Sequence, residues 1–202
     1  MAPDSKPFSE ACERNKAPIL AVLEKVFTRT GVILEIGSGT GQHAVYFARH
    51  LPHVVWQPAD VAAHLPGINA WLDGAQLANL RAPLELDVAA DPWPIESADG
   101  IFSANTAHIM AWPEVENMFA GVSRLLSRGG SFCLYGPFNY GGRYTSDSNA
   151  QFDRYLKTRD PVMGIRDVDD LVRLGERTGL ALIDDVAMPA NNRVLVWERS
   201  RD

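Results

Sequence analysis

The chain is short of cysteine: among its 202 residues only Cys12 and Cys133 occur, too few and too far apart for a disulfide framework or a metal knuckle. Cys133 lies inside the apolar run SFCLY, which makes it a small buried residue. No stretch of about 18 apolar residues is present to span a bilayer. The opening MAPDSKPFSEACERNK has no apolar centre of the kind a secretion signal needs. A cytoplasmic protein is the expectation. Positive charge is also scarce, with 19 Lys and Arg against 25 Asp and Glu and a formal net charge of -6. That balance argues against broad attraction to nucleic acid, so the expected partner is a small molecule and neither nucleic acid nor a membrane. His, Cys and acidic residues form no ligand-spaced cluster, and no metal is expected.

What is present is an alternation of short apolar runs with longer stretches of helical period, the pattern of a parallel sheet covered by helices on both faces. Residues 17–31 read as a helix leading into a first strand, VILEIG. QHAVYFARHL then reads as a helix, VVWQPAD as a second strand, LPGINAWLDGAQ as a helix with an early break, and APLELDV as a third strand. DGIFSANT is a fourth strand, PEVENMFAGVSRLL a helix opened by proline, and GSFCLYGPF a fifth strand. VDDLVRLGERTGL follows as an amphipathic helix, and LALIDDVAMP and NRVLVWERS are two strands joined closely enough for antiparallel pairing. One α/β domain spanning residues 1–202 is expected, with a cap segment over about residues 1–30 and an insert over about 138–167. The insert is polar, rich in Gly, Ser, Asn and Tyr, and predicts one short helix around NAQFDRYLKT; excursions of this kind commonly bind ligands.

LEIGSGTGQH, residues 34–43, turns from the first strand into a helix. The dinucleotide fingerprint G-x-G-x-x-G requires a third glycine where this chain has Gln42, and the nucleoside-triphosphate loop requires a Gly-Lys-Ser/Thr ending that is missing. The motif is instead Glu35-x-Gly37-x-Gly39-x-Gly41. Alternating glycines let a backbone pass beneath a bulky ligand with no side chain in the way.

That motif resembles the first motif of the class I S-adenosylmethionine-dependent methyltransferases. The resemblance implies a three-layer, Rossmann-like α/β fold, a seven-stranded, mostly parallel sheet with an antiparallel last strand, and S-adenosylmethionine as cofactor. It implies cofactor contacts for Glu35, Gly37, Ser38, Gly39 and Gly41. Asp60, closing the second strand, falls where the family's carboxylate accepts from both ribose hydroxyls. Asp87 and Val88 fall where the family reads adenine, and Asn105 and Thr106 close the fourth strand beside the place of methyl transfer. Singly, each acid could merely cap or solvate a loop. Jointly they sit at the carboxyl ends of successive strands, where open parallel sheets bind ligands. Over nearly its full length the chain is also similar to a narrower group, the methyltransferase-like 26 family, also known as domain of unknown function 938. The similarity rests on ACERNKAPIL, GQHAVYFARHLPHVVWQPAD, SNAQFDRYL, GIRD and MPANN. It bears on fold and cofactor and names no acceptor.

Within that resemblance some chemistries fall away. No Pro-Cys pair is present to supply the nucleophile of cytosine-carbon methylation, and the fourth strand ends in NTAHIM where methylases of exocyclic base amines have an Asn/Asp-Pro-Pro-aromatic turn. His108, just past that strand, is the candidate general base, since imidazole titrates near neutrality; the alternative is a ring that fills space. His43 reads as facing cofactor or solvent. Arg14 is a candidate for the cofactor carboxylate through a bidentate pair. Candidates for the acceptor site are Asn15 in the cap, Tyr140, Tyr144, Ser148, Asn149, Arg166 and Asp167 in the insert, and Asn191 and Asn192 in the terminal link, where asparagine equally suits left-handed turns. The expected function is methyl transfer to a small molecule. Cofactor binding without turnover, and action on protein or RNA, are the alternatives.

Overall fold

In the computed structural model, which describes residues 6–200, the alternating runs form nine strands and six α-helices. In chain order they are α1 (Glu10–Val26), β1 (Gly31–Ile36), α2 (Gln42–His50), β2 (Val54–Asp60), α3 (Leu65–Asp73), β3 (Leu84–Glu85), β4 (Ala98–Ala104), α4 (Trp112–Leu125) and β5 (Leu126–Gly136). The insert contributes β6 (Phe138–Asn139), α5 (Asp147–Arg159) and β7 (Arg166–Asp167); α6 (Val168–Thr178), β8 (Leu180–Met188) and β9 (Asn192–Arg199) complete the chain. The main sheet has the order β3-β2-β1-β4-β5-β9-β8. β1 to β5 run parallel, and β9 lies antiparallel between β5 and β8. Strand order reverses between β1 and β4, which opens a crevice at their carboxyl ends.

Side chains one residue apart on a strand serve opposite cores. Ile33, Phe102, Cys133 and Val196 pack against Ile19 and Leu23 of α1 and Phe47 of α2. Their neighbours Leu34, Ile101, Phe132 and Leu195 pack against Met118, Phe119 and Val122 of α4 and Leu171 and Leu174 of α6. Because both faces are covered, the strands read as continuous apolar runs.

The boundaries depart from the sequence expectations in three places. α1 begins at Glu10, a full two turns before residue 17, because Ser9 caps it by accepting from the Cys12 amide and Pro18 is accommodated inside the helix. β3 keeps two residues of the seven expected, pairing only Leu84 with Ala59 and Glu85 with Asp60. The adjacent Pro83 has no amide to donate, and Asp87 folds onto the Ala89 amide, so the edge strand stops. The short helix of the insert extends to thirteen residues as α5, capped by Ser146, and β6 pairs with β7 in a separate two-stranded sheet. The first five residues of the expected cap lie outside the described residues.

Glu35 sits in the middle of this packing, buried, accepting from Trp56 Nε1 and Ser38 Oγ, each at 3.0 Å. Burial outweighs these donors and pushes its carboxyl up to about 7, with nearby Asp60 adding to the rise. The native protein therefore holds a proton that the unfolded chain has released, and stability falls as pH rises from about 4.5 through 7. Relative to Glu35→Gln, the unfolding free energy of the wild type should drop by about 3 kcal/mol across that window. Urea denaturation at a series of pH values checks this, and a pH-independent difference would contradict it.

Candidate active site

β1 ends at Ile36 and the chain turns through Gly37, Gly39 and Gly41 at φ of 73, 58 and 88°. Only glycine takes such angles without strain, and the spacing of the three is what the turn requires. The Gly37 and Ser38 amides donate to Ala59 O of β2 at 2.9 and 3.1 Å, and the Gly39 amide donates to Asp60 Oδ2 at 2.7 Å. A side chain at Gly37 would collide with Thr106, and one at Gly41 would press on Ile68, 3.0 Å away. At Gly39 it would meet only open space. That space is a cavity of about 590 Å³ over the carboxyl ends of β1, β2 and β4.

Asp60, Asp87, Val88, Asn105 and Thr106 all line this cavity, as do Gly37, Ser38, Gly39, His43 and His108. Asp60 Oδ1 accepts from the Val61 amide and from His64 Nδ1, both at 2.8 Å. Oδ1 is thus saturated, while Oδ2 retains one lone pair beside its bond from Gly39. Asp87 holds the Ala89 amide through Oδ1. Asn105 occupies a left-handed conformation at φ 60°, with its amide donating to Tyr135 O at 2.9 Å. Such an outlier turns the chain sharply out of β4, and His108 follows on that loop. Ser103 Oγ and Thr106 Oγ1 are 2.7 Å apart and brace the loop against Ile36 O.

His108 is buried, and its ring nitrogens have no hydrogen-bond partner among the described residues. Its ring meets Phe152 edge-on at 5.2 Å. Burial, aided by the Arg166 charge, lowers its pKa to about 4, well below the near-neutral titration expected of it from the sequence, so the imidazole is neutral at physiological pH. His43 is neutral for the same reason, burial holding it near 4. Its Nε2 donates to Asn15 Oδ1 at 2.7 Å, and its ring stacks on Phe47.

Several expected site residues stand elsewhere: Glu35 is buried behind the turn on Ser38 and Trp56, and Gly41 packs on Ile68, both outside the cavity lining. Arg14 projects from α1, 72% exposed and paired loosely with Glu10, outside the cavity lining. Asn15 supports His43 from beneath the lining. In the insert, Tyr140 donates to Asp185, Tyr144 to Asp153, and Asn149 to Thr145 and Asn191 O, while Ser146 and Ser148 pair with one another. Asn192 donates back to Pro189 O, and Asn191 takes φ 57° in the link. Arg166 donates to the carbonyls of Ala107, Met110 and Val162. Asp167 caps α6 and accepts from the Gly142 amide. These polar groups consume one another, which is why none of them reaches the cavity. A separate depression of about 360 Å³, which includes Arg166 and Asp167, lies beside the insert.

The cavity's other walls were not legible in sequence. Ser9, Ala11 and Cys12 close it from the start of α1, and Ile109, Met110, Glu114 and Phe152 line the end near His108. α1 is held there by Gln42, whose Oε1 accepts from the Ser9 amide at 2.6 Å and from Thr40 Oγ1 at 3.0 Å while its Nε2 donates to Glu13 at 2.9 Å. The one available signal was Ser9 as a helix cap.

Among solved structures, the fold matches an O-methyltransferase family protein from Burkholderia thailandensis with a TM-score of 0.81 at 16% identity, covering 95% of this chain and 58% of that one. It matches the S-adenosylmethionine-dependent methyltransferase SibL at 0.79 and 21% identity, covering 95% and 56%. It also matches human N-acetylserotonin methyltransferase, solved in complex with S-adenosylmethionine, at 0.78 and 15% identity, covering 95% and 53%. The chain spans little more than half the length of these proteins, and the likeness is one of fold. The family model described as a protein of unknown function, DUF938, matches residues 6–199, and the chain belongs to that family.

Proposed function

We propose that the protein is an S-adenosylmethionine-dependent methyltransferase acting on a small molecule, kin to the methyltransferase-like 26 proteins through the segments quoted above. The observation that carries the reading is the convergence of the three-glycine turn, Asp60, Asp87 and Asn105 on one cavity at the strand-order reversal. The residues fit the cofactor's chemistry. The bare backbone at Gly39 leaves room for its body, the remaining Oδ2 lone pair of Asp60 accepts a ribose hydroxyl, and Asp87 with the Val88 amide suits an adenine edge. When bound, S-adenosylmethionine supplies a methyl group whose bonding pair stays on sulfur as an acceptor lone pair forms the new bond. The chain's own part is to align the two groups, exclude water and accept a proton. Ser9, Ala11 and Cys12 cover the site, and His108, neutral and unpartnered, takes the acceptor proton.

Asp60→Ala should weaken S-adenosylhomocysteine binding by about 1–3 kcal/mol, the loss expected for hydrogen bonds to a charged group. Calorimetry reads it, and unchanged affinity would contradict the cofactor's placement. With labelled S-adenosylmethionine and a cell extract, the wild type should transfer label to a small-molecule fraction. His108→Ala should cut that transfer by about 100-fold or more while leaving cofactor affinity intact. Tight cofactor binding with label in no fraction would contradict turnover.

A further inference from the structure

The end of the cavity beyond the glycine turn has a distinct chemical character. Its walls there are Ile109, Met110 and Phe152, with His108 between them. The Phe152 ring stands nearly perpendicular to the His108 imidazole at 5.2 Å, which gives this end of the cavity an apolar wall beside the ring nitrogens. Ile109, part of this lining, is 47% exposed, so apolar surface runs from the cavity wall out to solvent. Apolar surface exposed around a cavity opening marks a binding route.

The charges are one-sided. Asp60, Asp87 and Glu114 line the cavity, and among the described residues no Lys or Arg does. Arg166 is the cation close to His108, but it lies outside the lining and its Nε and Nη2 donate to the Ala107, Met110 and Val162 carbonyls, which leaves no two-nitrogen fork for a carboxylate or phosphate. Three carboxylates outnumber the single positive charge of the cofactor's sulfonium, so an anionic ligand would enter a partly dry, net negative site with no Lys or Arg partner, and its desolvation would go uncompensated. A neutral imidazole with a free nitrogen lone pair, in contrast, suits an O–H group: it accepts that proton and becomes positive as the sulfonium is discharged, so the site's net charge does not change.

Resting on the methyltransferase reading above, we infer that the acceptor is an apolar compound bearing a hydroxyl, with no carboxylate or phosphate. Three naphthalene probes that differ in one substituent test this: naphthol, naphthoate and naphthyl phosphate. Each is titrated by ligand-observed NMR into protein saturated with S-adenosylhomocysteine, the saturation being verified first by calorimetry. Naphthol should bind about tenfold or more tightly than the other two. Glu114→Gln keeps an oxygen for the Ala111 amide that Glu114 Oε2 now accepts at 2.5 Å, and removes one charge. In that variant the preference for naphthol over naphthoate should shrink by about threefold. Equal or tighter binding of either anionic probe, binding of none of the three to the S-adenosylhomocysteine complex, or an unaltered preference in Glu114→Gln would overturn the inference. Failure to bind S-adenosylhomocysteine at all would instead strike down the cofactor reading, and this inference with it.

Discussion

The turn between β1 and α2 is the constraint on which the rest depends. Three glycines at positive φ let the backbone reverse within five residues, and hydrogen bonds to Ala59 O and Asp60 fasten it to the neighbouring strand. Everything that lines the cavity is placed relative to it. Asp60 is drawn to the Gly39 amide, and Thr106 fills the space that a side chain at Gly37 would need. Gln42, just past the last glycine, ties the first turn of α1 over the opening. In a dinucleotide-binding turn that third position is held by glycine for close packing of helix on strand. Here the same position carries an amide that serves three partners, so the departure from that pattern is used structurally.

A second theme is neutrality enforced by burial. His43 and His108 line the cavity, Glu35 is buried behind it on Ser38, and desolvation favours the uncharged form of each. The charge left on the lining comes from carboxylates that hold backbone amides, Asp60 on Gly39 and Val61, Asp87 on Ala89, and Glu114 on Ala111. Such a site attracts a cation such as a sulfonium and disfavours anions.

Much of this was readable in sequence where the signal is local. The glycine spacing, the acids at strand ends and the helix and strand periodicities all depend on near neighbours, and the seven-stranded sheet with its antiparallel strand follows from them. The insert was harder because its residues look like binding groups by type. Tyr140, Tyr144, Asn149 and Arg166 find partners such as Asp185, Asp153, Asn191 O and Ala107 O, most of them many residues away, and no spacing rule announces that pairing. The same limit hid Phe152, an apolar residue on a helix indistinguishable by pattern from a core position. The start of α1 was read late because the apolar spacing begins at residue 17, whereas the Ser9 cap carries the helix back to Glu10 with Pro18 inside it.

On the proposed function, this turn and its acids select a sulfonium cofactor over a dinucleotide. Parallel calorimetric titrations of the unaltered protein with S-adenosylmethionine and with NAD test this most directly. One S-adenosylmethionine bound per chain and no heat of binding from NAD are the expected result. Saturable binding of NAD, or none of S-adenosylmethionine, would contradict it.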